Sequence, residues 1–169
     1  MILPAAKYKS EIEAYCDEHR YDQGMLWFQG TIEHGRIDVL RDDYDDGTRW
    51  QWAIVDTDKN LVGYMSYRYD PYARSLHGIG LYSFTDNRAT MMAGILDVIR
   101  EIKKLNPHRI EFRAVSGNPA ISKYNKIVNL YKDKYAVNVM TYHDVFRDIH
   151  GEYHDDLIYE LIERGTGVE

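Results

Sequence analysis

Apolar and polar positions alternate with a period of two through the middle of the chain, and the period then lengthens to between three and four. The run "RWQWAIVDTDKNLVGYMSYRYD" reads as two strands joined by a polar turn at 56 to 60. "SLHGIGLYSF" reads as a third strand, with glycines at 78 and 80 that mark a bulge or a close approach to the backbone. From 88 to 105, Met92, Ile95, Ile99 and Ile102 recur at helical steps, and Leu96 and Val98 widen the apolar face. Asp86 or Asn87 can cap that helix, and Asn106-Pro107 ends it. "HRIEFRAV" is a fourth strand, "NPAISKYNK" opens a further helix, and strands over 136 to 145 and 153 to 163 form a terminal antiparallel pair. Near the start, Ile12, Tyr15 and Cys16 share one side of a helix over 10 to 20, with Ser10 as N-cap and Glu13 completing a capping box. Between 22 and 48 the signal is mixed, and "GMLWFQG" fits a short helix or a strand.

This order predicts one α/β domain over 1–169, a mixed, mostly antiparallel sheet flanked by helices. A single parallel strand-helix-strand crossover is expected over 76 to 115. No repeat, linker or low-complexity segment divides the chain.

Charge narrows the partners. A formal net charge of −6, with both signs interspersed, argues against phosphate-driven nucleic-acid binding. One cysteine, Cys16, excludes an intrachain disulfide framework, and no apolar run reaches membrane-spanning length. With no apolar signal core at the N-terminus, a reducing, cytoplasmic setting is the expectation. The 15 tyrosines suit half-buried positions with wet hydroxyls, and tyrosine-rich strand edges suit a homodimer or an ordinary surface.

Few familiar site motifs are present. Asp56, Asp58 and Asn60 start like a calcium loop, yet Leu61 and Tyr67 occupy its glycine and glutamate positions, so a turn is expected. His143, His150 and His154 match no zinc spacing, and no metal site is expected. The chain has no nucleophile elbow, Walker loop or dinucleotide fingerprint. What remains is "SFTDNRATMMAGILDVI", where a strand leads into a helix N-terminus beside Arg88, an arrangement suited to an anion.

From about residue 50 to 163 the chain resembles the GNAT superfamily of acetyl-CoA-dependent N-acetyltransferases. Arg88-Ala89-Thr90-Met91-Met92-Ala93 looks like that family's pyrophosphate loop, R/Q-x-x-G-x-G/A, with Arg88 and Ala93 matching. Met91 stands where glycine is usual, so its side chain is expected to crowd the approach. "NPAISKYNK" supplies Ala120, Ile121, Tyr124 and Lys126 at the steps of the family's N-x-x-A-I-x-x-Y-x-K helix, and Asn118 falls one residue nearer to the alanine than usual. The resemblance implies acetyl-CoA as the donor and a small-molecule or peptide amine as the acceptor. It assigns the pantetheine arm to the edge Leu81, Tyr82, Ser83 and Phe84 and to Asn118, and it makes Tyr124 the general acid at the departing thiolate. His77 and Glu111 are the candidates for a general base. Direct attack by the amine is favoured, because Cys16 lies outside the motif region. The alternative is a binding module that keeps the fold without the chemistry.

Overall fold

The computed structural model describes residues 1–19, 22, 27 and 48–165. The mixed region from 22 to 48 therefore lies almost wholly outside the described residues. Seven strands form one sheet in the order β1-β2-β3-β4-β5-β7-β6. They are β1 (Ile2–Pro4), β2 (Arg49–Val55), β3 (Leu61–Asp70), β4 (Ser75–Ser83), β5 (Arg109–Val115), β6 (Tyr135–Arg147) and β7 (Tyr153–Glu163). Every neighbouring pair is antiparallel except β4 and β5, which are parallel as the strand-helix-strand order requires. Among the described residues three α-helices accompany the sheet: α1 (Lys9–Glu18), α2 (Arg88–Lys104) and α3 (Ile121–Leu130).

The turn at 56 to 60 is held by its own groups. Asp56 accepts hydrogen bonds from the Asp58 and Asn60 amides and from the Asn60 side chain. Lys59 adopts the left-handed φ of 66° that closes such a turn. The carboxylate that suggested a calcium ligand is thus used by the loop itself.

The helices cover the sheet unequally. α1 buries Ile12 and Cys16 completely and packs with Tyr64 and Tyr82. α2 packs Met91, Val98 and Ile102 against Ile54, Met65 and Leu76 on the other face. α3 closes a smaller cluster around Ala114, Tyr159 and Leu161. The approach of α2 depends on Gly94, where an added Cβ would lie 2.3 Å from the Ile54 side chain.

Some boundaries differ from the sequence expectations. Ser10 sits inside α1 rather than capping it, because a 3-10 helix (Ala5–Tyr8) runs straight into the α-helix at Lys9. Ile2–Pro4 forms an edge strand on β2 that a three-residue apolar start does not announce. α3 begins at Ile121, after a turn in which the Asn118 side chain accepts from the Ala120 amide. On α2, Met92 and Leu96 are exposed, whereas Met91, Gly94, Val98 and Ile102 are buried. The apolar stripe is wide because this helix turns one face to the sheet and another to a cavity.

Candidate active site

The site begins with an irregularity in β4. Ser66 of β3 pairs with Gly80 and Arg68 pairs with His77, so Gly78 and Ile79 together oppose Tyr67. Gly78 takes a φ of 60°, which glycine adopts without steric cost. The bulge turns β4 away from β5. Their pairing stops after Ser75↔Arg109 and Leu76↔Ile110, although β4 continues to Ser83 and β5 to Val115. Beyond this fork β5 remains fully paired with β7, and Leu81 to Ser83 remain paired with β3. The facing edges of the fork have no strand partner among the described residues.

Between α2 and α3, over the fork, lies a cavity of about 490 Å³. Its walls are mainly aliphatic and aromatic, including Leu81, Ile95, Ile99, Ile110, Phe112 and Ile127. The charged side chains in the wall are Lys103, Arg113 and Lys134, and no carboxylate joins them among the described residues. Such a site suits an apolar ligand carrying few, well-placed polar groups.

Tyr124 reaches this cavity from the first turn of α3. Its amide donates to the Ala120 carbonyl at 3.0 Å, confirming that Ala120 lies directly before it on the same helix face. Its ring stands edge-on to Phe112 at 5.9 Å. Burial raises the phenol above its ordinary pKa of 10.0, and a hydrogen bond with the Asn118 side chain acts in the opposite direction. At neutral pH the hydroxyl keeps its proton. Asn118 is therefore engaged with Ala120 and Tyr124, an orienting position for the tyrosine at the head of the helix.

The first turn of α2 sits where β4 ends. Asn87 caps it by accepting from the Thr90 amide at 3.2 Å. The Asn87 amide donates to the Thr85 hydroxyl, Arg88 to the Asp86 carbonyl, and Met91 to the Asn87 carbonyl. Arg88 and Ala89 are exposed, as are Met92 and Ala93. Met91 does not crowd this surface. It points inward, and an added Cβ at Gly63 would lie 2.4 Å from the Met91 sulfur.

His77 and Glu111 do not line the cavity. They are the first residues past the last paired register on β4 and β5, next to Leu76 and Ile110. Because neighbouring residues in a strand point to opposite faces, this places both at the fork on the face away from α2 and α3. His77 is exposed, and Glu111 pairs with Arg109 at 2.8 Å, which also pairs with Glu160 at 2.8 Å.

One ion pair was not anticipated. Asp156 in β7 is 1 % exposed and pairs with the exposed Arg113, a residue that also borders the cavity. Its other oxygen, Oδ1, has no hydrogen-bond partner among the described residues. A lone aspartate in "HDDL" carries no spacing that would single it out. His154, Asp148 and Glu152 also bring ligand atoms within 4.8 Å of one another. Asp148, however, already accepts from the His150 and Glu152 amides of its own loop.

No protein-family model matches the chain, and no curated protein matches it in sequence. Solved structures do match. A ribosomal-protein-alanine N-acetyltransferase from Brucella melitensis superposes with a TM-score of 0.64 at 16% identity, over 96% of this chain and 99% of that one. A spermidine/spermine N-acetyltransferase from Vibrio cholerae, in complex with manganese ions, matches at a TM-score of 0.51 and 20% identity. That match covers 69% of this chain and 66% of the other, so the shared part is about two thirds of each. With the forked parallel pair, these likenesses establish that the chain has the GNAT acetyltransferase fold, in a sequence far removed from either neighbour.

Proposed function

We propose that the protein is an N-acetyltransferase that moves an acetyl group from acetyl-CoA to a primary amine by direct attack. The observation that carries this reading is the fork itself. A bulge at Gly78 opens β4 from β5, and Tyr124 faces the resulting cavity with its proton retained. The edge from Leu81 to Phe84 lies past the last β4–β5 pairing, where the amides of a pantetheine arm would run. Arg88 and the exposed Ala89 stand at the N-terminus of α2, where the helix dipole favours the donor's phosphates.

Acetyl-CoA supplies the activated thioester. An amine nitrogen forms the new bond to the carbonyl carbon, the carbon–sulfur bond breaks, and its electron pair leaves on sulfur. The Tyr124 hydroxyl hands its proton to that thiolate, and solvent returns one to the phenolate. The surplus ammonium proton leaves on the opposite face of the sheet, where His77 and Glu111 flank the fork. Asn118 keeps the tyrosine aimed, while the apolar walls exclude water from the thioester.

One observation favours a second reading, a binding module with no transferase chemistry. The amides at Asn87, Arg88, Thr90 and Met91 already have acceptors within the chain. A thermal-shift titration separates the two. At a hundred times its dissociation constant acetyl-CoA stabilises by about 2.7 kcal/mol, a rise of roughly 5 to 10 °C for a domain of this size. A saturable rise with acetyl-CoA and none with ATP is expected. No rise at millimolar acetyl-CoA would leave the binding module as the better reading.

A further inference from the structure

The cavity is longer than an acetyl group requires. Tyr124 marks the height of the thioester, near the start of α3, yet Ile127, Val128 and Tyr131 continue the wall down that helix. Seven residues of helix separate Tyr124 from Tyr131, which is about 10 Å, the reach of an acyl chain of roughly eight carbons. Across from them α2 supplies Ile95, Ile99 and Ile102. The space then passes below the end of the fork, under the paired residues Leu76 and Ile110, to Pro107 and Tyr135.

A donor arm entering from the first turn of α2 reaches Tyr124 before it reaches this lower part, so the lower part belongs to whatever lies beyond the thioester. Ile95 and Ile99 are branched aliphatic side chains left half-buried where they line the cavity. Water gains little there, because its hydrogen bonds would have few partners. The polar ends, Lys103 and Lys134, are exposed at the bottom of the cavity.

We infer that the donor carries an acyl chain longer than acetyl, a medium-length saturated chain seated between Ile99, Ile102, Ile110 and Tyr131. This rests on the transferase reading above, keeping its thioester chemistry and amine acceptor and replacing the acetyl group with a longer one. The bonds made and broken are those already given, with the longer acyl carbonyl in place of acetyl and the thiolate protonated by Tyr124.

The test is equilibrium binding of coenzyme A, acetyl-CoA, butyryl-CoA, hexanoyl-CoA and octanoyl-CoA to the whole chain. Each methylene that leaves water for the pocket should tighten binding about fourfold, so octanoyl-CoA, about six carbons longer, should bind at least 30-fold more tightly than acetyl-CoA even with only about half of that chain buried. Filling the lower pocket with Ile99→Trp should bring that ratio to within about threefold of unity. Ile127→Trp fills the same space from the other helix and provides the measurement if the first variant does not fold. Equal or weaker binding of octanoyl-CoA overturns the chain-length inference alone. An octanoyl preference that persists in the filled variant also overturns it, because the chain then binds elsewhere. Failure of every thioester and of coenzyme A to bind overturns the transferase reading, and this inference with it.

Discussion

Tyr124 concentrates the proposed chemistry in one hydroxyl, and its surroundings suit that task. The ring stands edge-on to Phe112, Asn118 at the head of the helix acts on the phenol, and burial keeps the proton in place. Tyr124→Phe removes the donor while keeping the ring, so the thiolate would have to depart unprotonated. The expected result is a fall of about 10²- to 10⁴-fold in kcat with little change in the KM for the thioester, read as thiol release against time. A kcat within threefold of the parent would remove Tyr124 from the mechanism. The resemblance to the N-x-x-A-I-x-x-Y-x-K helix drew attention to this residue, and it lines the cavity one turn after Ala120. Arg113 and Asp156 were not legible. Their pairing joins adjacent strands far apart in the chain, and neither residue sits in a spacing tied to a reaction.

At the level of elements, the site exists because β4 bends. Its two glycines pointed to an irregular strand, and the structure puts the left-handed residue at Gly78. Only there is a side chain strained, since the nearest atoms to an added Cβ are Arg68 carbons 3.9 Å away and space is ample. Gly78→Val should therefore destabilise the fold by about 1 to 2 kcal/mol through backbone strain. Part of that strain can be relieved by flattening the bulge, which brings β4 back toward β5. Acetyl-CoA should then give less than half the parent's thermal shift, although the unliganded variant still melts cooperatively. An undiminished ligand shift would show that the fork does not depend on this glycine. The strands and α2 were readable because their hydrophobic periods are regular. The inner face of α2 was misread at Met92 and Leu96, which are exposed and belong to neither the sheet core nor the cavity wall. Ser10 was misread as a cap because a 3-10 turn ahead of α1 already supplied helical backbone.

For the molecule as a whole, the distinctive feature is how much phenol it buries. Tyr64, Tyr67 and Tyr82 are at most 5 % exposed, and removal from water is the main cause that raises each above 10.0. At Tyr82, Cys16 and Tyr15 add to the effect, while Gln51 donates to the Tyr64 hydroxyl at 2.8 Å. A phenol whose pKa is higher in the folded chain binds its proton more tightly there than in the unfolded chain. Its contribution is complete below pH 10.0 and is lost as pH rises through the interval up to the folded value. Each such tyrosine steepens the loss by up to about 1.4 kcal/mol per pH unit, so the three together approach about 4 kcal/mol per unit. Urea midpoints should be flat from pH 7 to 9 with respect to these groups and fall sharply above pH 10. Phenolate absorbance at 295 nm should rise in two stages, the exposed tyrosines titrating near their ordinary pKa and the buried ones ionising together with unfolding. A single smooth titration near pH 10 with the fold intact would mean that water reaches these hydroxyls. In that case the sheet faces under α1 and α2 would be more open to water than their packing implies.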